Sequence, residues 1–146
     1  MLALLDVNAL IPLFDVEHGF HAATRAWLTA WLADSPDHKW ASCPLTQNAV
    51  VRILSQPSYP RAASTFDMVQ RLAGATAHER HAFIPDDISI ADANQIAASH
   101  LLGPKGITDI YLLALAVKHN ARFVTFDRGI ALSAAIGATP AHLIVL

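Results

Sequence analysis

The chain has 146 residues, enough for one domain with a sizeable core. Hydrophobic residues make up 53% and charged residues 15%, and the net charge is −2, so no global basic field announces nucleic acid, and a polyanionic substrate must be met by local Arg and Lys. The single Cys43 excludes an intramolecular disulfide; with no evident base beside it, it reads as a buried structural thiol suited to a reducing compartment.

In chain order, "LALLD" is a short apolar run ending in an acid, which predicts a buried strand. "GFHAATRAWLTAWLAD" places Phe20, Ala23, Trp27, Ala30 and Trp31 at helical spacing, an amphipathic helix. "DSPDH" is a turn, "KWASC" a second strand, and "LTQNAVVRILS" a helix with Thr46 as its expected N-cap. "QPSYP" breaks that helix. "RAASTFDMVQRLAG" is the next, closed by Gly74. "HAFIP" is a third strand, and "DDISIADANQIAASHLL" reads as a helix capped by Asp86 or Asp87. After the loop "GPKG", "TDIYLLALAVKHN" is a buried helix capped by Thr108, followed by the strand "RFVTF", a short segment "GIALSAAIG" and a last strand "HLIVL". Strands alternate with helices, which predicts an α/β domain with a mostly parallel sheet covered on both faces. There is no internal repeat, low-complexity segment or linker, so residues 1–146 read as a single domain. The apolar N-terminus lacks a basic region and is interrupted by Asp6, and "IYLLALAV" is too short to cross a bilayer, so the expectation is a cytoplasmic protein.

Ligands of open parallel sheets bind at the carboxyl ends of the strands. Two strands here end in acids, Asp6 and Asp127, and Asp109 opens the buried helix, so the three carboxylates are placed to converge at one edge. Singly, each has a structural reading: Asp6 ends a strand, Asp109 complements a helix dipole, and Asp127 caps. Together they would repel unless a cation sits among them, and hard Mg²⁺ or Mn²⁺ suits carboxylate oxygen.

The segments "LLDVNAL", "TDIYLLALA" and "FVTFDRG", in this order, resemble the motifs of PIN domains, and the closest resemblance is to VapC-type toxins of bacterial toxin–antitoxin pairs. "CPLTQNAVVRILSQPSY" is similar to the matching segment of one VapC subgroup, so the resemblance covers essentially the whole chain. It implies a three-layer α/β/α sandwich and a Mg²⁺- or Mn²⁺-dependent endoribonuclease that cuts structured RNA, tRNA or rRNA, with metal-activated water. It implies a cognate VapB-type antitoxin and a homodimer as partners. Its metal-binding carboxylates fall on Asp6, Asp109 and Asp127, with Asn8 and Thr125 as supporting polar residues. Where the family commonly has a Glu, this chain has Gln47, whose amide oxygen can still coordinate or hold a water but carries no charge. That departure bears on a second metal more than on the first, and it motivates the alternative reading: a catalytically weakened PIN domain that mainly binds antitoxin or RNA.

Arg52 and Arg128 are candidate RNA contacts, with surface salt bridging the alternative. His18 with His21, and His78 with His81, lack a third zinc ligand at recognisable spacing and read as solvated His. Trp27, Trp31 and Trp40 read as core or interface rather than base-stacking platforms. Asp86, Asp87 and Asp92 read as caps and solvated surface rather than an extension of the acidic site. No dinucleotide-binding fingerprint, P-loop or nucleophile elbow is present.

Overall fold

A computed structural model describes residues 1–146. Five strands, β1 (Leu2–Leu5), β2 (Lys39–Ser42), β3 (His81–Phe83), β4 (Ala121–Thr125) and β5 (Leu143–Val145), form one sheet in the order β3-β2-β1-β4-β5, every pair parallel. The helices are α1 (Val7–Phe14), α2 (His21–Asp34), α3 (Pro44–Leu54), α4 (Thr65–Thr76) and α5 (Ile107–Lys118). The chain steps outward from β1 to β2 to β3, then returns past β1 to β4 and β5. Right-handed crossovers in opposite directions put their helices on opposite faces. Accordingly α1–α4 cover one face and α5 the other, and the strand order reverses beside β1, at the topological switch point.

Alternation along the strands builds two cores. Ala3, Leu5 and Val124 face α1–α4 with Trp31, Trp40, Val50 and Met68, while Leu4 and Phe123 face α5 with Leu112, Leu113 and Leu115. The layer over α5 is completed by irregular chain, including Ile84, Ile96, Ala134 and Ala135. Thr125 has the parity of Phe123, so it points toward the α5 side. The end of β1, the end of β4 and the start of α5 thus meet at one edge. No helix is long and apolar enough to cross a membrane.

All five strands lie where the sequence places them. Several details differ. Residues 86–101 are turns with one short 3₁₀ turn (Ala98–His100) instead of a helix. Local polar bonds win there: Asp92 accepts from the backbone and side-chain nitrogens of Asn94 at 2.9 and 3.0 Å, Asp87 pairs with Lys118 and His119, and Asp86 accepts from Leu45 N at 3.0 Å, at the start of α3. α1 is an additional helix, begun by Asp6 and containing Pro12. Cys43, not Thr46, caps α3; Pro44 opens it, and buried Thr46 accepts from Cys43 N at 3.0 Å. α4 runs past Gly74 to Thr76, and α5 starts at Ile107 after Gly106 with no side-chain cap, so Thr108 lies inside it.

α1 is tied down at its far end by Asp15, which is 7% exposed. Arg61 donates to both its oxygens at 2.9 and 2.6 Å, and the Tyr59 hydroxyl donates at 2.6 Å. The Arg61 bonds, more than any other influence, hold Asp15 well below the usual carboxylate range. A depressed folded-state pKa contributes stability above the unfolded value that is lost as pH falls through the folded one. Denaturant midpoints are therefore expected to fall as pH drops below about 4. Arg61→Ala should lower stability near neutral pH and flatten that acid-side loss. Urea unfolding at neutral and acid pH checks both.

Candidate active site

β1 hands the chain to α1 at Asp6. Its backbone extends the ladder, with Asp6 N donating to Val124 O at 2.9 Å, and its carboxylate accepts from Val7 N at 2.6 Å. Buried Thr125 donates its hydroxyl proton to the other Asp6 oxygen at 2.8 Å. The same Thr125 oxygen accepts from Asn8 Nδ2 at 2.9 Å and from Asp127 N at 3.1 Å. Asn8 Oδ1 accepts from Phe126 N at 3.1 Å. One buried hydroxyl thus links the two strand-end acids, and Asn8 is spent behind them rather than facing outward.

Asp127 caps no helix. Its carboxylate is exposed and closes a turn by accepting from Gly129 N at 2.6 Å. A Cβ at Gly129 would stand 3.2 Å from that oxygen, so glycine keeps the turn tight without crowding the carboxylate. Asp109, in the first turn of α5, is half-buried and makes no hydrogen bond or ion pair. Asp109 and Asp127 line a cavity of about 380 Å³.

Gln47 is held elsewhere. Its amide nitrogen donates to Ser42 Oγ at 3.0 Å, and Ser42 Oγ lies 2.9 Å from His81 Nε2. Ser42 is fully buried and accepts from Gln47, and its hydroxyl also bonds to His81 Nε2. Burial pushes His81 below the ordinary imidazole value, which favours the neutral ring. Gln47 and Arg52 line a separate groove between α3 and α4. Arg128 is exposed and does not line the acidic cavity. The Ser42–His81 pair was not singled out from sequence. The usable signal was that Ser42 ends β2 at the edge where Asp6 follows β1.

The remaining sequence candidates have structural roles. His21 Nδ1 is bonded to Pro12 O at 2.6 Å, and His18 and His78 accept from the backbone nitrogens of Phe20 and Arg80. Trp31 and Trp40 are buried, and Trp27 stacks on Trp31. Cys43 is fully buried, and its thiol is pushed up to about 11 by burial, so it is no nucleophile.

A parallel sheet whose switch point gathers acids from the ends of β1 and β4 and the start of α5 is matched by the PIN domain family model over residues 3–135. The chain belongs to the PIN domain family. Ribonuclease VapC44 of Mycobacterium tuberculosis is 49% identical over 146 residues, covering all of both chains. Ribonuclease VapC38 of the same organism is 38% identical over 130 residues, 88% of this chain and 87% of that relative. The crystal structure of VapBC2 from Rickettsia felis, bound to a DNA fragment from their promoter, is similar with a TM-score of 0.57 at 14% identity, covering 88% of this chain and 90% of that one. At that identity the likeness bears on the fold alone.

In this PIN domain the three acids feel one another. Burial raises Asp6 above the usual carboxylate range and Asp127 adds to it, while Thr125 and Val7 pull the other way. Asp109 is pushed up to about 6, first by burial and then by the charges of Asp6 and Asp127. No salt bridge engages any of the three. The three side chains do not form a compact group of ligands. The donors are all oxygen, Asp109 is free, and no basic partner competes, so the residues fit a hard divalent cation.

An acid whose folded-state pKa is raised stabilises the fold while protonated, and that contribution is lost as pH rises through the folded value. In metal-free protein, carboxyl ¹³C NMR should show one resonance titrating near pH 6, absent in Asp109→Asn and shifted to lower pH in Asp127→Asn. A profile unchanged by Asp127→Asn would show that the two charges do not interact.

Proposed function

We propose that this chain is the toxin ribonuclease of a VapBC-type toxin–antitoxin system, a metal-dependent endoribonuclease acting on structured RNA. The observation that carries the reading is the unpaired trio Asp6, Asp109 and Asp127 at the switch point of a PIN domain. The full-length relatives named as ribonucleases support the reaction class.

Asp6, Asp109 and Asp127 would hold Mg²⁺ or Mn²⁺, which when bound supplies a water of lowered pKa and neutralises charge on a phosphate. Thr125 and Val7 N fix the Asp6 carboxylate and favour its ionised form. Asn8 fixes Thr125 and the backbone entering Asp127. Asp109 releases its proton to act as a ligand, so ion binding and cleavage both strengthen as pH rises through about 6. Hydrolysis by in-line attack leaves a 5′-phosphate and a 3′-hydroxyl, and no Ser, His or Cys nucleophile is needed.

A VapB-type antitoxin is the proposed partner, together with a second copy of the chain. Phe66 and Val69 on α4 are 71% and 46% exposed one helical turn apart, which supports burial against another chain. The alternative, a weakened PIN domain that mainly binds, draws on Gln47, whose amide is engaged by Ser42 and adds no charge to the acids.

A cleavage assay separates the two. Purified parent protein with Mg²⁺ or Mn²⁺ should cut total tRNA or rRNA, and Asp109→Asn should lower the rate by at least about 100-fold while keeping the parent's circular dichroism spectrum. A parent that binds RNA without cutting it would establish the alternative.

Gln47→Glu adds a fourth negative charge at the same sheet edge. It should lower the metal concentration for half-maximal cleavage several-fold, the scale of a charge interaction of roughly 1 kcal/mol. The variant also loses its donor to Ser42, so a metal titration with an unchanged midpoint would confine Gln47 to the Ser42–His81 chain.

A further inference from the structure

The cavity lined by Asp109 and Asp127 extends well beyond the acids. Its other walls are the segment before α5 and the turn after β4, and they are mainly apolar: Leu101, Leu102, Ile110, Ile130 and Ala131. Among its lining residues there is one cation, Lys105. Lys105 is exposed and makes no salt bridge or hydrogen bond, although two carboxylates line the same space. By contrast Arg61 is committed to Asp15, Arg80 to the carbonyls of Leu32, Ser35 and His38, and Lys118 to Asp87.

The loop is built to present these groups. Gly103 adopts φ 128° and ψ −179°, a conformation that residues with a Cβ rarely take, and it follows Leu102, which is 86% exposed. Gly103, Gly106 and Gly129 leave bare backbone along the wall, so a ligand can approach the main chain closely. An exposed leucine, an unpaired ammonium and bare backbone around about 380 Å³ of space describe a seat for a small amphipathic group carrying negative charge.

We propose that this cavity seats one nucleotide of the RNA beside the scissile bond, with Lys105 on its phosphate and Leu101, Leu102 and Ile130 against its base and sugar. The proposal rests on the ribonuclease reading above and adds a subsite to it. It also adds a candidate cation: Lys105 shares a cavity with the acids, whereas Arg52 lines the groove between α3 and α4 and Arg128 lines neither. The lining holds no aromatic ring and no side-chain amide. Aromatic stacking and bidentate amide readout of a base edge are therefore missing, and the subsite grips a nucleotide mainly by phosphate charge and apolar contact with little choice of base.

Binding can be read apart from cleavage by fluorescence anisotropy of a short, labelled, mixed-sequence single-stranded RNA, with Ca²⁺ replacing Mg²⁺. Lys105→Gln should weaken binding about fivefold or more and make the slope of log affinity against log salt shallower by about 0.7, the loss of one phosphate contact on a single strand. Lys105→Arg should keep both affinity and slope. Leu102→Ser should weaken binding with the slope unchanged, because it removes apolar contact and no charge. A Lys105→Gln variant with the parent's affinity and slope overturns the subsite and leaves the ribonuclease reading standing. A parent protein that neither binds this RNA nor cleaves total RNA overturns the ribonuclease reading and the subsite with it.

Discussion

Three partly buried carboxylates gather at one edge of the sheet with no ion pair to any of them, and the elements around them converge on that edge. Like charges in a partly desolvated site raise one another's pKa or move apart. Asp109 is pushed up to about 6, first by burial and then by the charges of Asp6 and Asp127. Such an edge is a standing destabilisation in the absence of a cation, and proteins bear it at functional sites and compensate elsewhere. The compensation here lies in two apolar cores on either side of the sheet and in the Asp15–Arg61–Tyr59 lock at the far end of α1.

The polar groups behind the acids show how the edge keeps its shape. Thr125 Oγ1 has one proton to donate and two lone pairs to accept with, and Asp6, Asn8 and Asp127 N use all three. A buried hydroxyl satisfied in this way cannot rotate without abandoning partners. The direction of Asp6 and the path of the chain into Asp127 are therefore coupled through one oxygen. Asn8 extends the coupling to the first turn of α1. Asp6 and the backbone at Asp127 are held by this network of uncharged groups, whereas Asp109 makes no hydrogen bond.

Much of this was legible in the sequence, for physical reasons that differ from residue to residue. Strands buried on both faces read as short apolar runs, so "LALL" and "RFVT" stood out, and the acid after each run marked the functional edge. α5 was visible because nearly every side is apolar. The segment 86–101 misled: Ile88, Ile90 and Ile96 gave an apolar rhythm, but the Ser89 and Asp92 side chains accept from backbone nitrogens two residues on and make turns. α1 was missed because eight residues containing Pro12 carry too little pattern to announce a helix. The meeting of the three acids was inferred from topology, while the shared Thr125 oxygen needed coordinates. Lys105 was passed over because a lysine in "GPKG" looks like any solvated loop residue. Its place in the acidic cavity comes from the tertiary arrangement, which sets that loop and the turn after β4 around one space.

Gln47 shows how a residue's chemistry can be set by a partner that no motif contains. An amide can present either its oxygen or its nitrogen, and a bond to a buried hydroxyl decides which. Ser42 Oγ is fully buried and lies 3.0 Å from the Gln47 amide nitrogen and 2.9 Å from His81 Nε2, so one proton and two lone pairs serve both neighbours. With the Gln47 nitrogen donating, the amide oxygen is left as the free end. A carboxylate at this position has no proton to donate, so Ser42 would have to turn its own proton toward it. His81 would then need to supply a proton from Nε2. Exchanging the amide for an acid therefore sets the proton order of all three groups, and the lower charge of this acidic edge is tied to the packing of β2, α3 and β3 rather than to one position.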